Sequence, residues 1–140
     1  MSKGKNWSLK AENSFLYKIP PNDLNISPVS GQEPCPRSFL SLVSHGTRLY
    51  VFGGCPQEGR LADLHSLDTE TGVWTELESG PMEGRGGTPL AVTGAGDIYV
   101  VGGFAGREMA DIHRYSIKEG KWTTMQEVQY SLNKAAKCEE

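Results

Sequence analysis

Leu49-Tyr-Val-Phe-Gly-Gly54 and, 49 residues later, Ile98-Tyr-Val-Val-Gly-Gly103 decide how this chain folds. Each is a continuous run of apolar residues, rich in aromatic and β-branched side chains, that ends in a glycine pair. Such runs fit strands buried on both faces. The glycine pair fits a strand end where backbones pack too closely for a Cβ. Working outward, the same landmarks flank each run in the same order. Arg37 lies before the first run and Arg85 before the second, 48 residues apart. Asp63-Leu-His65 and Asp111-Ile-His113 follow at an offset of 48, and Gly72-Val-Trp74 and Gly120-Lys-Trp122 close each unit at the same offset. Chance agreement would not keep order and spacing together, so the chain holds an internal repeat.

Each unit divides into four short strand-like runs separated by turn chemistry. The first unit predicts strands over 39–44, 48–53, 63–68 and 73–77, and the second over 88–93, 97–102, 111–116 and 121–125. Gly46-Thr47 and Gly94-Ala-Gly96-Asp97 supply the turn before each central run. The strongest helical candidate is a short terminal stretch over 132–137. Four strands per unit with a period near 50 residues resembles the kelch repeat, whose units are blades of a β-propeller. The fold expected is therefore all-β, a partial kelch-type β-propeller with two complete four-stranded blades over 36–79 and 80–126. Trp74 and Trp122 should each cover their own blade and its neighbour with a large aromatic face. Tyr50 and Tyr99 take matching places on the buried central strand.

The flanks depart from the repeat. Gly4-Lys-Asn-Trp7 resembles the Gly-x-Trp that closes a unit, so residues 1–9 read as the last strand of a preceding blade. Residues 10–35 carry Pro20-Pro21-Asn22-Asp23, Pro28 and Gly31 and read as an inter-blade loop insertion. That insertion either contacts a partner or is neutral. Residues 127–140 read as a truncated start of a further blade or a disordered tail. A closed propeller needs at least about four blades. Two blades leave apolar faces and sheet edges open, so a fragment, a truncated product or a ring of several copies is expected, with self-association through the open edges.

Composition narrows the function classes. The chain has 140 residues, 37% of them hydrophobic, with 17 Gly and 8 Pro, which excludes a collagen, a coiled coil and a wholly disordered chain. Its 14 basic and 17 acidic side chains give a net charge of −3, which argues against nonspecific nucleic-acid binding. No apolar run reaches membrane-spanning length, and the two early lysines are followed by no signal-peptide core. Cys35, Cys55 and Cys138 show no C-x-x-C spacing and read as reduced thiols of a cytoplasmic protein. Asn6-Trp-Ser8 and Asn25-Ile-Ser27 match the glycosylation pattern by chance.

No residue constellation points to catalysis or to a metal. His65 and His113 share a repeat position but alternate with Leu67 and with Tyr115 and Ile117, so they read as structural. Asp63 and Asp111 read as acceptors of backbone N–H bonds at a turn. Arg37 and Arg85 are the binding candidates, because they precede the first strand of each blade where propeller loops converge. Two inward guanidiniums can grip an anion in bidentate fashion. The alternative is pairing with a carboxylate such as Glu58 or Glu108. Gly84-Arg-Gly-Gly87 lacks the Lys-Ser/Thr pair and the strand-to-helix setting of a phosphate loop.

A narrower resemblance rests on Pro36-Arg-Ser-Phe39, Val51-Phe-Gly-Gly-Cys55, Gly59-Arg-Leu-Ala-Asp-Leu-His65, Gly84-Arg-Gly-Gly87 and Gly103-Phe-Ala-Gly106. Together with Glu108, Asp111 and His113 they resemble central blades of the nitrile-specifier and epithiospecifier proteins. That resemblance implies a propeller that uses Fe(II) to divert glucosinolate aglycones toward nitriles. It also implies that Arg37 and Arg85 face the substrate side. The family's iron motif, E-x-x-x-D-x-x-x-H, is implied for a later blade. Glu108-x-x-Asp111-x-His113 has its residue types at other spacings, so no ligand carries over. Fe(II) then belongs to a full-length parent, and this chain alone would not be an enzyme. The partner expected is a protein, or a small anionic or thio-compound ligand, held by the propeller loops. The competing reading is a non-enzymatic kelch scaffold, since fold does not settle function. A galactose-oxidase-like copper enzyme comes third and lacks its Tyr/His constellation.

Overall fold

The computed structural model describes residues 28–125. They form two sheets and no helix. The first holds β1 (Ser30–Gly31), β2 (Ser41–His45), β3 (Arg48–Gly54), β4 (Leu61–Asp68) and β5 (Val73–Glu76), in the order β1-β5-β4-β3-β2. The second holds β6 (Leu90–Val92), β7 (Asp97–Phe104), β8 (Glu108–Ser116) and β9 (Lys121–Thr124), in chain order. In each sheet four consecutive strands run antiparallel. These are two successive blades of a kelch-type propeller, with β2 and β6 side by side at its inner edge. Ser41 Oγ donates to the Thr88 carbonyl at 2.5 Å and ties these inner edges together.

The blades pack through alternate residues of their central strands. Tyr50, Phe52 and Leu64 of the first blade meet Ile98, Val100 and Tyr115 of the second, all at most 4% exposed. Burying such a side chain stabilises by about 1.5–3 kcal/mol. Trp122 on β9 extends the core, with its ring centroid 5.2 Å from Tyr115 and 5.8 Å from Phe52 across the blade boundary. Its indole N–H donates to the Glu78 carbonyl at 2.7 Å. Trp122 thus covers its own blade and its neighbour. Trp74 packs with Val51 and Leu67 on the opposite face of the first blade, against Val29 and Leu49.

Three details differ from the sequence reading. The run at 98–101 was expected to be buried on both faces, yet Val101 is 39% exposed and Tyr99 half-buried. Its outward face has no third sheet against it among the described residues. Part of the loop expected over 10–35 is a strand, because β1 pairs parallel to β5 in the register Ser30 with Val73 and Gly31 with Trp74. Residues 10–27 of that loop, the strand read over 1–9 and the segment over 127–140 lie outside the described residues. The strand expected over 39–44 begins at Ser41, because Phe39 takes φ 54° and leaves the extended conformation.

Both glycine pairs interrupt their ladders with a bulge, between Phe52 and Gly54 and between Val101 and Gly103. Gly53 has φ 60°, and a Cβ there would lie 2.7 Å from the Arg85 carbonyl oxygen. Gly54 N–H donates to that same carbonyl at 2.8 Å. The glycine pair of the first blade therefore grips the entry to the second, and no side chain fits between them.

Candidate functional site

The face on which the two glycine-ended strands stop carries the loops 55–60 and 105–107 and the entry segments 35–40 and 84–89. Arg37 and Arg85 stand beneath this face. The Arg85 side chain is fully enclosed and pairs with Asp111 through two bonds, Nη1 to Oδ1 at 2.5 Å and Nη2 to Oδ2 at 2.9 Å. Its Nη1 also donates to the Gly102 carbonyl at 2.9 Å, and Nε to the Glu83 carbonyl at 3.1 Å. Arg37 repeats the pattern, with Nη1 donating to Asp63 Oδ1 at 2.6 Å and to the Gly53 carbonyl at 3.2 Å. Its side chain is 3% exposed. Each guanidinium thus satisfies a carbonyl that the glycine bulge releases from the ladder, which a buried acceptor requires.

This geometry corrects three expectations. Arg37 and Arg85 do not present free guanidiniums to an anion, because Asp63 and Asp111 occupy them. Neither Glu58 nor Glu108 is the partner. Asp63 and Asp111 lie within β4 and β8 rather than at a turn, and their partners are the arginines. The hydrogen bonds from Arg85 hold the Asp111 carboxyl down at about 2, despite its partial burial. His113 Nε2 lies 2.8 Å from Asp111 Oδ2 and Nδ1 lies 3.2 Å from Thr124 Oγ1, so this histidine is satisfied structurally. His65 is equally buried, but its Nδ1 sits 3.5 Å from Asp63 Oδ2 and makes no hydrogen bond among the described residues. Burial pushes its imidazole below the usual histidine value.

Above these pairs opens a cleft of about 330 Å³, lined by Phe39, Cys55, Arg60, Gly86, Gly87 and Phe104. Backbone bonds fix its walls. Gly86 pairs with Phe104 in an antiparallel bridge, and Gly87 N–H donates to the Phe39 carbonyl at 3.0 Å. Phe39 is 72% exposed and Phe104 43%. The Arg60 guanidinium lies over the Phe104 ring, 5.1 Å from its centroid. Cys55 is a free, half-buried thiol. Sequence reasoning singled out the arginines beneath the cleft and missed its walls. A signal for Phe39 was present: it takes the repeat position of Gly87, and both adopt a left-handed backbone, at φ 54° and 60°. Among the described residues no three His, Cys, Asp or Glu side chains converge to hold a metal ion.

The family described as the KLHDC2/KLHL20/DRC7 Kelch-repeats domain matches residues 7–138. Kelch domain-containing protein 2 of Bos taurus is 29% identical over 97 residues, 66% of this chain and 24% of that protein. The N-(sulfonatooxy)prop-2-enimidothioate sulfolyase of Thlaspi arvense is 30% identical over 124 residues, 79% of this chain and 35% of that protein. Kelch-like protein 40 of Mus musculus is 30% identical over 106 residues, 68% of this chain and 17% of that protein. The chain thus spans between about a sixth and a third of the length of these relatives.

Proposed function

The chain belongs to this kelch-repeat family, and from that premise we propose that it serves as a propeller module whose loop face binds a protein partner. The observation that carries this reading is the open cleft between the blades. Exposed phenylalanine rings stand at its rim, its glycine floor lacks side chains, and it holds an arginine with no carboxylate partner among the described residues. Aromatic side chains and arginine are the residue types enriched at binding hot spots. The acid-paired arginines beneath the cleft tie its entry segments to β4 and β8, and a pre-organised site lowers the ordering cost of binding. Panning a displayed peptide library on the immobilised 140-residue chain tests the reading. Peptides that bind the folded chain and release when it is unfolded in urea are expected. A chain that enriches no such peptide contradicts it.

A second reading has support in the similarity to the Thlaspi arvense sulfolyase, which covers most of this chain. In it a longer parent acts on a small thio-compound anion, and the same cleft forms part of the wall of its pocket. The described residues bring no three metal-ligating side chains together and do not fit an iron site. A small organic sulfate ester that displaces the panned peptides from the chain would favour this reading over the first.

A further inference from the structure

Resting on the protein-binding reading, we propose that the cleft recognises a peptide in which a bulky apolar side chain stands beside a carboxylate. Phe39 is the apolar anchor of this site and Arg60 its charge reader.

Phe39 carries the first part of the argument. A bulky side chain in the left-handed region is a conformational outlier. The second blade fills the same repeat position with Gly87, which bears no such cost. Phe39 gains little from burial in return, because it is 72% exposed. The Ser38–Cys55 bridge and the Gly87 N–H bond to the Phe39 carbonyl hold this backbone in place, and strain held in that way collects at binding sites, where it keeps a group ready for its partner. The ring stands at the mouth of a cleft floored by Gly86 and Gly87, where an apolar side chain finds room beside Phe39 and Phe104.

Arg60 carries the second part. Arg37, Arg48, Arg85, Arg107 and Arg114 each pair with an aspartate or glutamate. Arg60 makes no ion pair among the described residues, not even with Glu58 two residues away. Its guanidinium lies over the Phe104 ring at the cleft, and a guanidinium without a carboxylate partner can take one in bidentate fashion. A cation fixed beside an apolar slot selects an anionic group next to an apolar one, through charge complementarity.

Peptides panned on the wild-type chain, on Phe39→Gly and on Arg60→Glu test the proposal. Wild-type peptides should share an aromatic or long aliphatic residue next to Asp or Glu. Arg60→Glu should turn the acidic preference into a basic one, an effect that loss of folding cannot mimic. Phe39→Gly should weaken the wild-type peptides about tenfold or more, the scale of a hot-spot residue, while its melting temperature stays equal or rises. Peptides that bind the loop face but ignore both substitutions overturn this proposal and leave the protein-binding reading standing. A chain that enriches nothing overturns both. Concentration-dependent dimerisation abolished by Phe39→Gly would show that a second copy occupies the cleft, and would overturn it too.

Discussion

At the scale of single residues, the repeated Arg–Asp pair has the largest consequence. Removing one partner of a buried pair leaves an uncompensated charge and costs about 3–5 kcal/mol. Arg85→Met should therefore lose about that much in urea unfolding, while Arg107→Met, at a solvent-exposed pair with Glu83, should leave stability nearly unchanged. Arg85→Lys should not restore stability, because an ammonium cannot make the two parallel bonds to Asp111 and reach the Gly102 carbonyl as well. The pH dependence has a defined sign. The Asp111 carboxyl titrates lower in the folded chain, at about 2, than in the unfolded one. Its contribution is complete above the usual aspartate range and is lost as the pH falls from there toward about 2. Asp111→Asn should flatten the acid limb of stability measured between those limits. Burial lowers His65 as well, so its contribution is present above the ordinary histidine range and is lost as the pH falls below it. Phe39→Gly should raise stability by about 1 kcal/mol by relieving the left-handed backbone.

The Arg–Asp pairing was legible in the sequence, although the pairing expected there was another. Arg37 to Asp63 and Arg85 to Asp111 are both separated by 26 residues, a constancy that marks contact within one unit. The cleft was not legible in the same way. It exists only where the segments holding Phe39, Cys55, Gly86 and Phe104 meet across two blades. The left-handed backbone of Phe39 is hinted at only by its repeat partner Gly87, and the exposure of its ring is reported by no sequence pattern.

Among the strands, the glycine-ended runs were readable because burial imposes composition on a central strand. What they could not show was how long the ladder continues past the glycines. β8 begins at Glu108 because Phe104 still pairs with it beyond the bulge. β1 left only Gly31 as a signal, which reads as a loop residue although its φ of 94° and its close approach to the Trp74 carbonyl leave no room for a side chain. Ser30-Gly31 is held by backbone bonds, Ser30 N–H to the Gly72 carbonyl and Gln32 N–H to the Trp74 carbonyl, both at 3.0 Å, and such bonds require no side-chain pattern. The bulge is the element most sensitive to substitution. Gly53→Ala must adopt a left-handed backbone, costing about 1–2 kcal/mol, and must also displace the Arg85 carbonyl. A loss above that range in urea unfolding is expected, whereas Gly46→Ala, with open space around its Cβ, should cost only the conformational part.

Across the whole molecule, one apolar face of the first blade is matched to the opposite face of the second, and Trp122 joins them. Truncation of large buried aromatics costs about 3–5 kcal/mol. Trp122 is only half-buried, so Trp122→Ala should fall at or below the lower end of that range, and it should loosen the blade boundary ahead of either sheet. The cleft spans this boundary, so binding and blade packing depend on the same contact. The central claim is that a partner is read by the face on which both glycine-ended strands stop. Amide hydrogen exchange of the chain, with and without a panned peptide, tests it most directly. Protection confined to the amides of residues 35–40, 53–60, 84–88 and 102–107 is predicted. Protection at the opposite turns, around Gly46 and Gly94–Gly96, with none on the loop face, would contradict it.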